Sequence, residues 1–354
     1  MSIKKYLLFS FCLFTVLIKS QDSLFVVNDS AIKLYEANLA LLYQESMSNY
    51  NTSYIKDSNV NHSIKEIKKR INYLNHQTPF DFNSSELILN YIKTYVEKRK
   101  KLTAKMFNYG KFYFPIFEEQ LIKHELPLEL KYLPIVESAL NPKAKSRAGA
   151  VGLWQFMPRT GKMMGLEISS FIDERKDPLL STEAACLYLK KLFTVYEDWN
   201  LALAAYNAGP GNINKAIRRS GGETDYWKVR PFLPKETQNY IPAFTAVNYM
   251  MNYNYIGDQT VKELPFVYYD VDTLLVSERI SFETLEEWLS YDLEKISFLN
   301  PSYTEEIIPK SNTKHSLCLP SFLILFYFCQ SQCSAIIVNT RSRTKIKIGA
   351  VDDI

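Results

Sequence analysis

The sequence has little of what builds a metal centre or a cross-linked scaffold. Five cysteines occur in 354 residues. Cys12 lies in an apolar run near the start, and Cys186, Cys318, Cys329 and Cys333 follow neither metal-ligand spacing nor the dense pattern of a disulfide framework, so they read as buried or unpaired thiols. Charge of one sign is also scarce. The formal net charge is +4, and the basic side chains are scattered rather than gathered into an aromatic-rich stripe, which argues against nucleic acid as a partner. A clean membrane span is missing too. Tyr6 to Ile18 is uncharged but only thirteen residues long, short of the roughly 20 that cross a bilayer. Leu317 to Val338 has the length, but Ser321, Gln330, Ser331, Gln332 and Ser334 interrupt it, so it does not read as an anchor.

What the chain does have is apolar mass: 47% of its residues are hydrophobic, enough for the core of one ordinary domain with accessories. Lys4 and Lys5 precede the short apolar run, and Lys19, Ser20 and Gln21 follow it, the layout of a secretory signal peptide over residues 1–20. Phe11 stands before Cys12, where a lipidation signal wants a small residue, so an exported soluble protein is expected in preference to a lipoprotein.

Residues 21–117 are polar and aromatic-rich with helical spacing, as in Ile64, Ile67, Ile71 and Leu74, and form an expected N-terminal helical region. Ser63 with Glu66, and Asn83 with Glu86, each set a capping oxygen ahead of an apolar stripe with an acid three residues on. Ser48 to His62 and Asn75 to Asn83 read as loops. From 118 to 255 helical segments alternate with short glycine-bearing loops, and the unusual polar clusters fall here. After Tyr255 the pattern turns extended around Leu264 to Tyr269 and then helical over Phe282–Leu289 and Leu293–Leu299, which suggests a small separate module at 262–320. The tail 321–354 has no assignment.

Pro127 suits a first helical turn, and Leu126, Leu130, Leu133, Glu137 and Leu140 then fall three and four apart on one face, with Pro134 expected to kink the helix without ending it. Glu137 is therefore a carboxylate on an apolar stripe. Burial without a cationic partner raises a carboxyl pKa, as a general acid working near neutral pH requires. On periodicity alone the same glutamate also reads as an edge residue reaching water.

The residues that follow are more specific. Glu137-Ser138 leads to Gly152-Leu153-Trp154-Gln155, then to Ala205-Tyr206-Asn207 with Ala208-Gly209, and finally to Glu236-Thr237-Gln238-Asn239-Tyr240. In that order these motifs resemble the catalytic domain of the family 1 lytic murein transglycosylases, and the stretch from the N-terminal helices to Tyr255 resembles their membrane-bound type D subgroup. The resemblance implies a mainly α, lysozyme-like (goose-type) catalytic domain at 118–255 with a long glycan groove, Glu137 as acid and base, and Ser146, Gln155, Met157, Tyr206, Asn207 and Tyr240 lining the subsites around it. Ser146, Gln155 and Asn207 offer neutral donors and acceptors for sugar groups without a charge that would hold Glu137 ionised, although Gln155 also reads as a turn cap and Tyr206 as core.

A second carboxyl is the last thing missing. Most glycoside hydrolases need two, yet Glu167, Asp173, Glu174 and Asp177 lie in a loop-like stretch and Glu183 in the expected first turn of a helix, where structural roles suffice. With one carboxyl, the sugar's own 6-hydroxyl is the attacking group, and such an intramolecular group reaches effective molarities of about 10^5 to 10^8 M. The expected product is a 1,6-anhydro sugar, and the resemblance implies cleavage between MurNAc and GlcNAc. Neither metal nor organic cofactor is called for. The expected partner is the peptidoglycan glycan strand and the expected site the periplasm, across the inner membrane, with possible cell-envelope association and a monomeric chain. Two alternatives stay open: a goose-type lysozyme hydrolysing the same bond, and a non-catalytic peptidoglycan-binding protein. Leu275-Val276-Ser277, Ile280 to Leu285 and Ile296 to Pro301 resemble a degenerate LysM module, small and α+β, of strand-helix-helix-strand shape.

Overall fold

The computed structural model describes residues 63–253, 264 and 267–324, all of which belong to one unit, Lys56–Ile354. The leader, the expected loop from Ser48 to His62 and residues 325–354 lie outside the described part.

Helix α1 (Ile64–Gln77) starts as its sequence requires: Ser63 Oγ accepts from the Glu66 backbone N–H, and Ile67, Ile71 and Leu74 are buried. Gln77 ends α1 two residues beyond the expected loop start at Asn75, whose side chain is taken up in holding Phe82 N and O. Helix α2 (Glu86–Lys93) departs from its expected cap. Glu86 is already helical and Asn83 Oδ1 accepts from Ser85 N, so Asn83 makes a local turn ahead of the helix and leaves the cap position to Ser85. A π-helical turn (Thr94–Lys98) separates α2 from α3 (Lys100–Lys123), and Arg99 sits in the joint. Helix α3 is continuous across residues 117 and 118, and Phe112, Tyr113, Ile116, Phe117 and Leu121 are buried along it, so the N-terminal helices and the following segment share one core.

The apolar stripe ahead of Glu137 divides in two. A 3-10 turn (Leu128–Tyr132) hands over to the short helix α4 (Leu133–Ser138). Pro134 lies in the first turn of α4, where its missing N–H costs no hydrogen bond, so it begins a helix where the sequence suggested a kink within one. Helices α5 (Pro158–Met163), α6 (Pro178–Tyr196), α7 (Trp199–Ala208), α8 (Pro210–Arg219), α9 (Tyr226–Val229) and α10 (Lys235–Tyr253) complete the helical body. Asp177 and Asp198 cap α6 and α7 by accepting from their first N–H groups. Because Asp177 is the cap, Glu183 stands beyond the first turn expected for it, and it pairs with Lys123 and His124 on α3. The alanine-rich α7 is buried almost throughout and packs against α6 and α10, with α10 closing over α2.

The last described region runs β1 (Val271–Val276), β2 (Ile280–Ser281), α11 (Phe282–Leu289), α12 (Leu293–Leu299), β3 (Ile307–Ile308) and β4 (His315–Pro320). Both helices fall where the sequence puts them. The extended segment begins later than expected, since Tyr268–Asp270 is a 3-10 turn and the strand starts at Val271. β1 pairs antiparallel with β4, Val271 opposite Pro320 and Val276 opposite His315, and β2 pairs with β3. This region is docked, where a separate module was expected. Asp173 N donates to Ser302 O (2.8 Å), Thr304 N donates to Phe171 O (2.9 Å), and Lys143 Nζ reaches Ser297 Oγ (2.7 Å). Ile172 joins its apolar cluster, while Phe298 packs among Tyr109, Phe112 and Tyr113 of α3. The extended edge at 171–173 would otherwise leave backbone groups unpaired, and the module satisfies them.

Candidate active site

Glu137 is placed by how its short helix ends. Ala139 (φ 51°) and Leu140 (φ 62°) turn left-handed, and their N–H groups return to Ile135 O (3.0 Å) and Pro134 O (3.3 Å), stopping α4 directly after the acid. The next residue ties that helix down. Ser138 Oγ lies 3.0 Å from both Pro134 O and Leu153 O, bridging α4 to the loop that carries Gly152 to Gln155.

That loop is a tight backbone structure. Gly152 N donates to Ala144 O (2.9 Å), Val151 and Phe156 exchange both backbone bonds (3.1 Å each), and Lys145 bridges to Val151. Gly152 has φ +92°, and a Cβ there would meet Arg175 O at 1.8 Å, so no other residue fits. Trp154 is wholly buried with Nε1 donating to Thr182 Oγ1 (2.9 Å). Arg175 locks the loop from behind: its guanidinium makes a bidentate pair with Asp173 (2.8 Å to each oxygen) and donates to Gly149 O and Phe156 O (3.1 Å each). Asp173, Glu174 and Asp177 thus have the structural work expected of them, Glu174 accepting from Glu167 N.

All six subsite residues expected from the motifs line one cavity of about 640 Å³ together with Glu137. Tyr240, on α10, donates its hydroxyl to Glu137 Oε1 in a very short bond. Tyr206 donates to Trp154 O (2.7 Å), and its ring meets those of Phe156 and Tyr188, so it forms the cavity wall while serving as core. Asn207 Oδ1 accepts from Thr237 Oγ1 (2.8 Å), which orients the amide and leaves its NH2 end as the donor for a ligand. Ser146 Oγ accepts from Ala150 N (3.0 Å), and Gln155 Nε2 donates to Gly152 O (2.9 Å), so both side chains also brace the loop. Met157 gives the rim an exposed apolar surface. A second cavity of about 420 Å³ also reaches the acid and shares Val136, Glu137, Ser146 and Gln155 with the first.

The surroundings hold Glu137 ready to give a proton. Burial pushes its carboxyl from the ordinary 4.5 up to about 7; the Tyr240 hydrogen bond pulls down and the negative charge of Glu236 pushes up. Among the described residues no cation pairs with it. Lys131, the buried lysine nearest in sequence, is committed to Glu118 at 2.5 Å. A partly buried acid that opens on two cavities and titrates near neutrality is equipped for general acid and base chemistry on a long ligand.

Residues 114–228 match the family model described as Transglycosylase SLT domain. Over 133 residues the chain is 42% identical to membrane-bound lytic murein transglycosylase D of Escherichia coli K12, covering 36% of this chain and 29% of that protein. This stretch is an SLT domain. The soluble lytic murein transglycosylase of the same organism is 33% identical over 129 residues, or 35% of this chain and 20% of that one. Membrane-bound lytic murein transglycosylase F of Pseudoalteromonas translucida is 31% identical over 186 residues, 46% of this chain and 36% of that one. The chain therefore spans about three-tenths of the length of the first of these relatives. The crystal structure of the 70 kDa soluble lytic transglycosylase of Escherichia coli superposes with a TM-score of 0.37 at 25% identity, covering 58% of this chain and 34% of that one; the assignment rests on the sequence matches. The expectation of a mainly α, lysozyme-like fold agrees with the SLT domain and its helices.

The SLT match contains the first three motifs and stops short of Tyr240. Sequence reasoning missed several residues of the cavity. Tyr188 comes from the middle of α6 and Tyr91 from α2, neither in a motif. Glu236 stands inside the fourth motif, and its charge bears on Glu137, yet nothing in its local pattern separates it from an ordinary first-turn acid.

Proposed function

We propose that this protein is a peptidoglycan lytic transglycosylase that cleaves the β-1,4 bond from MurNAc to GlcNAc without water. The observation that carries the reading is Glu137, raised to about 7, hydrogen-bonded by Tyr240 and open to a cavity lined by Ser146, Gln155, Met157, Tyr206 and Asn207. In the proposed reaction the Glu137 carboxyl donates its proton to the glycosidic oxygen as the bond from C1 to that oxygen breaks. The resulting carboxylate takes the proton of the same sugar's 6-hydroxyl as that oxygen bonds to C1. A 1,6-anhydroMurNAc end forms and Glu137 is again protonated. A carboxyl with a pKa near 7 is suited to both halves, because neither protonation state is costly at neutral pH. The neutral donors and acceptors around it suit hydroxyl and acetamide groups.

Glu236 favours a second reading. A second carboxylate lines the same cavity, and it offers a base for a captured water, which would make the enzyme a hydrolase of the goose-type lysozyme kind. Mass spectrometry of muropeptides released from purified sacculi separates the two. Products one water lighter than reducing-end muropeptides, absent with Glu137→Gln and persisting with Glu236→Gln, support the transglycosylase. Reducing ends that vanish with Glu236→Gln overturn it in favour of hydrolysis, and release by Glu137→Gln overturns the acid.

Work on peptidoglycan fits export to the periplasm. The layout of residues 1–20 supports it. The region 271–320 runs strand, strand, helix, helix, strand, strand, and we read it as the LysM-like module its sequence suggests, with glycan binding by that region as part of the proposal.

A further inference from the structure

The two cavities that meet at Glu137 differ in charge. The larger holds the acidic Glu236 and no cation, whereas the smaller holds Arg99 and Lys145 and no acid besides Glu137 itself. Both cations are exposed, and among the described residues no carboxylate pairs with either. Their backbones are fixed. Arg99 ends the π-helical turn, with its N–H donating to Thr94 O (3.0 Å) and its carbonyl accepting from Thr103 N (2.9 Å). Lys145 belongs to the bridge with Val151.

We propose that the smaller cavity is a subsite for a carboxylate carried by the glycan, with Arg99 and Lys145 as its ligands. This rests on the transglycosylase reading. Sugar rings and acetamide groups are neutral, so the glycan backbone gives two unpaired cations beside the acid hydrogen-bond acceptors but no counter-charge. Their counterpart is an anionic substituent on MurNAc: the carboxylates of an attached stem peptide, or the free lactyl carboxylate where the peptide has been removed. Glu236 in the other cavity repels such a group, and the polarity from one cavity to the other then sets the direction in which a strand lies across Glu137. Arg99 comes from a segment before residue 114, so this subsite is built partly outside the SLT domain.

The test uses the full chain with Glu137→Gln, chosen so that binding is read without cleavage, alone and combined with Arg99→Gln and Lys145→Gln. Binding is measured for peptide-bearing glycan strands, amidase-stripped strands with free lactyl carboxylates, and neutral GlcNAc oligosaccharides of matched length. The parent should favour at least one carboxylate-bearing strand over the neutral one. Neutralising both cations should cut that preference by roughly fivefold or more, and rising salt should do the same. Loss on peptide-bearing strands alone names the stem peptide as ligand; loss on stripped strands names the lactyl group. A preference that is absent in the parent, or that survives neutralisation, overturns the subsite. If the parent binds none of the three glycans, the transglycosylase reading fails with it, and that outcome is distinct.

Discussion

Replacing Glu137 should make the protein more stable, in a way that depends on pH. Glu137 titrates near 7 in the folded chain against 4.5 for an ordinary carboxyl, mainly because it is buried. A folded-state pKa above the unfolded one means that the folded chain holds the proton more tightly, so its contribution is fully favourable below about pH 4.5 and is lost as pH climbs through about 7. At about 1.4 kcal/mol for each pH unit, that gap is worth up to about 3 kcal/mol, and the opening onto two cavities lowers it to between about 1 and 3 kcal/mol through solvent screening. Glu137→Gln keeps the shape and removes the ionisation. Urea unfolding of wild type and variant should therefore give a variant advantage that grows from pH 5 to pH 8 by that amount. An advantage independent of pH, or a variant less stable at pH 8, would show that Glu137 is not held in a site that disfavours its charge.

Tyr240→Phe removes the hydrogen bond that favours the charged form of Glu137, so the alkaline limb of the kcat/KM profile should move to higher pH by roughly one unit. Glu236→Gln removes a nearby negative charge and should move the same limb the other way, by less, because Glu236 is exposed and screened. Gly152→Ala forces a Cβ to 1.8 Å from Arg175 O at φ +92° and should lower stability by at least about 3 kcal/mol, seen as a large drop in melting temperature or loss of soluble protein. Arg175→Met strands the buried Asp173 and should cost about 3–5 kcal/mol in urea unfolding. It should also raise KM, because the loop bearing Gln155 and Met157 loses its two carbonyl clamps.

What was legible in the sequence was what is local. The Ser63 cap and the two helices after Ser281 depend on residues within a few positions of one another, whereas the stripe read through Glu137 divides into a 3-10 turn and a short helix. Pro134 was misread because a proline in a helical pattern has two outcomes, a kink or a new first turn, and only the 3-10 segment before it selects the second. Contributions made over long sequence distances carried no local signal. Tyr91 and Arg99 reach the cavities from helices before the SLT domain, Glu236 differs from other first-turn acids only by where α10 is packed, and the docking of residues 302–304 on 171–173 is a backbone contact that side-chain patterns do not encode. The tyrosine at 240 was found because the motif placed it there. Its bond to the acid joins residues 103 positions apart and was not readable.

The cavity walls cross the limits of the SLT match at 114–228, and this has a practical consequence. A fragment cut at 114 and 228 would keep Glu137 and three motifs but lose Tyr91, Arg99 and Tyr240, together with the strand edge that steadies the loop at 171–173. Such a minimal fragment would carry three of the four motifs and still lack the tyrosine that hydrogen-bonds its acid. For expression trials, the smallest sensible piece begins before α2 and continues through β4.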